Sequence, residues 1–239
     1  MVAASTGEVP PALAEAMMRT PILAGTPRRA AATLADQGAV HTYRRGTYIF
    51  HQGDPAQEMH FLFEGRVEIS SDSVTGQRQL HTTLEPPAFF GELGVLGDIP
   101  RTATALALGE SRVWVVPGEA WLTFLDEHPE VSRALLRALA RQVQAHEAFV
   151  EDLLFLDLKG RVAKRLLQLV APSVDDLPTN GGAVLPSVVT HADLASLCGG
   201  SRENVTRILS EFQRRGLITK NDRRYTLKNV EGLRKLAQL

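Results

Sequence analysis

The chain has 239 residues, with 26 basic against 27 acidic side chains, 44% apolar and 22% charged residues, a composition that excludes disordered and fibrous classes. One cysteine, Cys198, excludes an intrachain disulfide framework and a four-cysteine cluster. No apolar run approaches the ~18 residues of a membrane span, and Met1 to Pro11 has neither the basic residue nor the apolar stretch of a secretory signal, so a cytoplasmic protein is expected.

In chain order, the Ala- and Pro-rich first 26 residues suggest only a short helix over 11–19. Thr26 and Pro27 then read as N-cap and first helical residue of a helix over 28–37. From about 40 to 117 the character changes to short β-rich runs at 48–50, 60–63, 66–69, 79–84, 102–106 and 112–116. They are punctuated by turn signals such as Arg45-Gly46, Gln52-Gly53-Asp54, Glu64-Gly65 and Thr75-Gly76. Strands this short and regular predict an antiparallel sheet rolled on itself.

Helices return after Pro117. One spans 119–126, and Pro129 opens another reaching about Leu154, ~38 Å if continuous and longer than a small roll covers. Leu139, Gln142, His146, Phe149, Leu153 and Leu156 recur in a 3,4 alternation, which predicts the seam of a coiled-coil-like homodimer with two polar residues inside it, the alternative being a helix packed on its own roll. A further helix over 159–170 follows, with Gly160 marking the break before it, and then a loop over 171–188.

The charge is split. Residues 1–158 hold 12 basic and 20 acidic residues, net −8, and residues 159–239 hold 14 and 7, net +7, so the second part is suited to a polyanion. There Thr190 and Asp193 form a capping box, Cys198-Gly199-Gly200 stops the short helix with Leu194 and Leu197 inward, and Ser201 caps a second helix to about Arg215. This is a helix-turn-helix. Val205, Ile208, Leu209 and Phe212 face inward. Leu217-Ile218-Thr219, a turn at Asn221-Asp222 and residues 224–227 make a β-hairpin wing carrying Lys220, Arg223 and Arg224. With the second helix in a major groove, Arg202 and Arg207 can each donate twice to guanine and Glu203 can accept from cytosine. Thr190, Ser201, Lys220 and Arg224 suit phosphates. Neither a metal-spaced histidine pair nor a nucleophile elbow occurs, so neither an enzyme nor a metal site is expected.

Cys198-Gly-Gly-Ser-Arg-Glu-Asn-Val-Thr-Arg-Ile-Leu209 with Gly216-Leu-Ile218 resembles the winged helix-turn-helix of the cyclic-AMP receptor protein / fumarate–nitrate regulator (Crp/Fnr) family of bacterial transcription factors. Phe90-Gly-Glu-Leu-Gly-Val-Leu96 with Pro100-Arg-Thr-Ala-Thr104 resembles that family's phosphate-binding cassette, and Phe155-Leu-Asp-Leu-Lys-Gly-Arg161 its hinge. The resemblance implies an α+β chain: an extension (1–26), a cyclic-nucleotide-binding β-roll (27–128), a dimerisation helix (129–157) and a winged helix-turn-helix (158–239). It implies a homodimer on double-stranded DNA with inverted-repeat half-sites like TGTGA, about one helical turn apart, and RNA polymerase as a partner.

In the cassette, Gly91, Glu92, Leu93, Arg101 and Thr102 are the phosphate and ribose candidates. Arg101 offers a planar fork and is expected to face a solvated pocket. Thr102 offers a hydroxyl, Gly91 opens a helix whose amides meet the anion, and Glu92 accepts from a ribose hydroxyl. Where the family's cyclic-AMP binders often carry a hydroxyl pair against adenine, this chain has His146 and Glu147. Cyclic AMP is the first expectation for the effector. Cyclic GMP, cyclic di-GMP and ligand-free action stay open, as does a buried register role for His146. A cyclic-nucleotide-binding signalling module without a transcriptional role would need only residues 40–117.

Overall fold

The computed structural model describes residues 15, 17–73, 78–171, 182–185, 189–222 and 224–239. Much of the expected 11–19 helix, most of the 171–188 loop, the Thr75-Gly76 turn and Arg223 lie outside them. The chain divides into two compact units, one ending at Val143 and one running from Gln144 to Leu239.

The first unit contains α1 (Arg28–Ala35), β1 (Ala39–Tyr43), β2 (Tyr48–Phe50), β3 (Glu58–Glu64), β4 (Val67–Asp72), β5 (Arg78–Leu84), β6 (Ala88–Phe90), α2 (Glu92–Gly97), β7 (Thr104–Ala107), β8 (Ser111–Pro117) and α3 (Gly118–Glu127). Two four-stranded antiparallel sheets, ordered β1-β8-β3-β6 and β2-β7-β4-β5, form the roll. The central strands β3 and β8 are apolar on both faces, and period-two alternation divides them between two cores. Met59, Phe61, Trp114 and Val116 pack with Trp121, Phe124 and Leu125 of α3. Leu62, Val113 and Val115 pack with Val67, Phe90, Ala105 and Ala107 inside the roll.

Met17, Ile22 and Leu23 are at most 1% exposed and belong to the first of these cores, so the stretch just before α1 is a structural part of the unit. Thr26 does not cap α1. The N-cap is Pro27, with no side-chain cap, and the Thr26 hydroxyl is buried without a partner.

A long helix, α4 (Pro129–Phe155), begins in the first unit and ends in the second. Val131 and Leu135 anchor its start in the roll's core. The second unit adds α5 (Leu158–Val170), β9 (Ala183–Val184), α6 (His191–Cys198), α7 (Arg202–Arg214), β10 (Ile218–Asn221), β11 (Arg224–Leu227) and α8 (Val230–Ala237). The strand order β10-β11-β9 gives the wing a third strand. Leu166, Leu194, Val205, Leu209, Phe212, Tyr225 and Leu233 form its core.

Gly160 is not a helix break. The break lies at Leu156-Asp157, and Asp157 caps α5 by accepting from the Gly160 amide at 2.7 Å. Gly160 sits inside α5 because a Cβ there would come within 2.8 Å of the Leu236 carbonyl on α8.

Candidate functional site

A pocket opens in the roll between its two sheets and α2. Phe50, Ile69, Leu84, Phe89, Phe90 and Leu93 supply its apolar lining, and Gly91, Glu92, Arg101, Thr82, Thr102 and Gln142 complete it. All five cassette residues singled out by sequence are therefore together. Gly91 turns the chain from β6 into α2 at φ +83°, a conformation suited to glycine. A Cβ there would also sit 2.6 Å from Arg101 Nη1. Gly91, as N-cap, has no side chain to cap α2, and the Glu92 carboxylate bonds its own amide.

Arg101 lines the pocket but is far less solvated than its charge suggested. It is 4% exposed. Nη1 donates to the Gly91 carbonyl at 2.9 Å, Nη2 to the Glu58 carbonyl at 2.7 Å, and the guanidinium lies over Phe50. The side chain is held because burying a charge requires partners, and two backbone carbonyls supply them. Of its five N–H donors, these bonds use two, and Nε is buried without a protein partner. Donors therefore remain for an anion. Burial draws the Arg101 pKa below its usual value, against the opposing pull of Glu58, Asp54 and Glu92.

Glu92 is also buried, and burial raises its carboxyl, partly offset by its own backbone amide, by Gln142 and by Arg101. A carboxyl so placed is a hydrogen-bond partner for a sugar hydroxyl. Leu93 and Thr102 are exposed.

Two residues here escaped the sequence pattern. Gln142, counted as a seam residue, instead lines the pocket and bonds Glu92. His60, opposite Phe90 in the β3–β6 register, is 2% exposed and stacks on that ring at 5.0 Å. Burial lowers its pKa to about 3, aided by Arg101 and His41. His146 and Glu147 are exposed on α4 and are not among the pocket's lining residues, so His146 is not a buried polar residue within this chain. Leu156, the last seam position, is buried in its own chain.

In the second unit the helix-turn-helix is built as its caps foretold. Thr190 and Asp193 make a reciprocal capping box, α6 stops at Gly199, and Ser201 caps α7 by accepting from the Asn204 amide at 3.2 Å. Leu197 is only half-buried, and Ala195 and Cys198 share the inward face with Leu194. Arg161 fastens the turn, donating to the carbonyls of Cys198 at 2.7 Å and Leu156 at 2.8 Å. Burial pushes the Cys198 thiol up to about 11, which makes it a poor nucleophile or redox group.

Arg202, Glu203 and Arg207 are all exposed on α7, opposite Val205, Leu209 and Phe212. Arg207 is braced by a hydrogen bond to Asn204. The Glu203 carboxylate is held low by its own amide and the Ser201 hydroxyl. Thr190, Ser201, Lys220 and Arg224 are exposed as well.

Residues 40–128 match the cyclic nucleotide-binding domain, and residues 160–236 match the Crp-like helix-turn-helix domain. A "CRP-like cAMP-activated global transcriptional regulator" of Mycobacterium tuberculosis is 32% identical over 225 residues, covering 94% of this chain and 99% of the relative. The chain belongs to the Crp/Fnr family of transcription regulators. Membership makes it a regulator rather than an enzyme. The Thermus thermophilus catabolite activator protein superposes with a TM-score of 0.53 at 25% identity, over 91% of this chain and 98% of that one. The c-di-GMP-responsive global regulator of Xanthomonas campestris superposes with a TM-score of 0.72 at 20% identity, over 85% and 100%, a likeness of fold. Crp/Fnr membership excludes a signalling module that lacks a transcriptional role, and the mixed α+β fold is the family's. Among the described residues no helix is long and apolar enough to cross a membrane.

Proposed function

We propose that this Crp/Fnr regulator is a homodimer that binds an inverted-repeat operator under the control of cyclic AMP held in the β-roll. The observation that carries the effector reading is the pocket's charge inventory. Among its lining residues Arg101 is the one cation and Glu92 the one anion. One guanidinium matches the single charge of a cyclic mononucleotide, Glu92 accepts from its ribose hydroxyl, and Ile69, Leu84 and Phe89 offer apolar surface to a base. A cyclic dinucleotide brings two phosphates and would leave one without a cation in an apolar enclosure. His146 and Glu147 are the candidates for base selectivity. Arg202, Glu203 and Arg207 read base edges, and Thr190, Ser201, Lys220 and Arg224 hold phosphates. RNA polymerase is the expected partner on DNA and the cytoplasm the expected compartment.

The dimer reading rests on α4, where Leu136, Val143, Val150 and Leu153 are 43–65% exposed. With half-buried Leu139 and exposed His146, they follow a 3,4 alternation, a seam one position away from the one that counts Gln142 and Phe149.

The test is a melting-point titration with cyclic AMP, cyclic GMP and cyclic di-GMP, followed by footprinting on genomic DNA with each. A native-state ligand at a hundredfold its Kd adds about 2.7 kcal/mol of stability. Cyclic AMP raising the melting point and producing a protected inverted repeat supports the reading. A shift with cyclic di-GMP alone overturns it.

A further inference from the structure

We propose that His191 is a positioning residue that locks the wing to the base-reading helix, and that it does so only as the neutral imidazole. His191 opens α6 and touches two other elements. Its Nδ1 lies 2.8 Å from the Thr206 hydroxyl on α7, and its Nε2 lies 2.7 Å from the Tyr225 hydroxyl on β11. The direction of these bonds follows from Thr206, whose hydroxyl proton is committed to the Arg202 carbonyl at 2.7 Å. Thr206 therefore accepts from His191, so Nδ1 carries the proton. Nε2 is then bare and accepts from Tyr225. The path runs one way, from the wing through α6 to the backbone of Arg202, the first residue of α7.

A second proton on His191 breaks this order. It would sit on Nε2, facing the Tyr225 O–H, and the hydroxyl would have to reverse on a side chain that is 1% exposed. The charged groups around the ring oppose it too. Arg202 faces it from α7 and Lys220 from β10, while Asp193 on its own helix is engaged by the Thr190 amide. Burial first, then Lys220 and Arg202, lower the His191 pKa below its usual value, in the same direction.

The lock rests on the reading that α7 enters DNA, and two measurements on the full chain separate the two ideas. Nitrogen NMR of labelled histidine at neutral pH reads the tautomer without DNA. Nδ1 protonated and Nε2 bare is expected, and the opposite tautomer overturns the lock. Operator titrations then compare the parent with His191→Ala, Tyr225→Phe and the double variant at about pH 7.5 and pH 5. Tyr225→Phe keeps the core ring, so it tests the bond without emptying the core. Each single variant is expected to weaken operator binding up to about tenfold, and the double variant no more than the weaker single one. The parent should lose affinity toward pH 5 more steeply than His191→Ala. Additive losses, or equal pH profiles, overturn the lock. If the parent itself does not prefer operator to random DNA, the base-reading role of α7 falls, and the tautomer still decides the lock.

Discussion

The Arg101 guanidinium carbon lies 4.3 Å from the centre of the Phe50 ring, so the residue assigned to the ligand phosphate is also a brace of the roll. Its two terminal nitrogens tie the Gly91 carbonyl at the cassette to the Glu58 carbonyl at the start of β3. Arg101→Ala would strand both carbonyls and leave a cavity beside Phe50. We expect a loss of about 2–5 kcal/mol of stability together with loss of the cyclic-nucleotide melting shift. Arg101→Lys keeps the charge but not the fork, and should recover part of the stability and little of the affinity. Urea unfolding and calorimetry measure the two effects. A fully stable Arg101→Ala protein would refute the brace.

His60 makes the roll acid-sensitive. The folded state holds the imidazole neutral, with its pKa lowered to about 3, whereas the unfolded chain titrates near 6.5. Above pH 6.5 neither state takes the proton. As pH falls from there toward 3, the unfolded chain binds it and the folded roll does not, so stability is lost across that window, about 2 kcal/mol by pH 5. His60→Phe retains a ring against Phe90 and removes the titration. Its urea midpoint should fall less between pH 7.5 and pH 5 than the parent's, and parallel losses would discount His60 as the cause.

Residues 17–26 should be indispensable to the first unit. Met17, Ile22 and Leu23 are each at most 1% exposed, and removing large core side chains costs roughly 2–5 kcal/mol apiece. A chain beginning at Pro27 should unfold at much lower urea. An unchanged midpoint would show that the core closes without them.

What could be read along the chain was whatever is local. The Thr190-Asp193 capping box, the Ser201 cap and the apolar stripe of α7 each sit within a few residues, and each matches the structure. The Gly91 to Thr102 cassette was legible because its motif carries the chemistry in one short stretch. β1 and β6 went unread: β1 is half-exposed at a sheet edge with little alternation, and β6 is three residues long after Pro86-Pro87. Arg101 betrayed its donors but not its acceptors, since Glu58 is 43 residues away. Gln142 fitted a 3,4 count equally well as a seam residue, because spacing places a side chain on a helix stripe without saying what that stripe meets.

The exposed stripe of α4 gives a direct test of the dimer. Val143→Asp with Val150→Asp replaces two side chains that are 55% and 52% exposed, so the folded monomer should tolerate both. Light scattering should report a monomer, and operator affinity should fall sharply because two half-sites are no longer held together. A dimer of unchanged mass would place the interface elsewhere.

Readout and phosphate attraction separate by mutant class. Arg202 and Arg207 lie in the first two turns of α7, the part of a recognition helix that reaches the groove floor. Ser201 caps the helix by accepting from the Asn204 amide, and its hydroxyl proton goes to the Glu203 carboxylate. Each Arg→Ala should cost about 1–3 kcal/mol on operator DNA and relax one base position, with random DNA affected far less. Because Arg207 is braced by Asn204, Asn204→Ala should loosen the same position more weakly. Lys220→Ala or Arg224→Ala in the wing should weaken operator and random DNA alike and lower the salt slope by about one unit each. Competition titrations at two salt concentrations read both quantities. Equal losses on operator and random DNA for Arg202→Ala and Arg207→Ala would make α7 a phosphate clamp, and the specificity of this regulator would then have to come from the shape of its DNA.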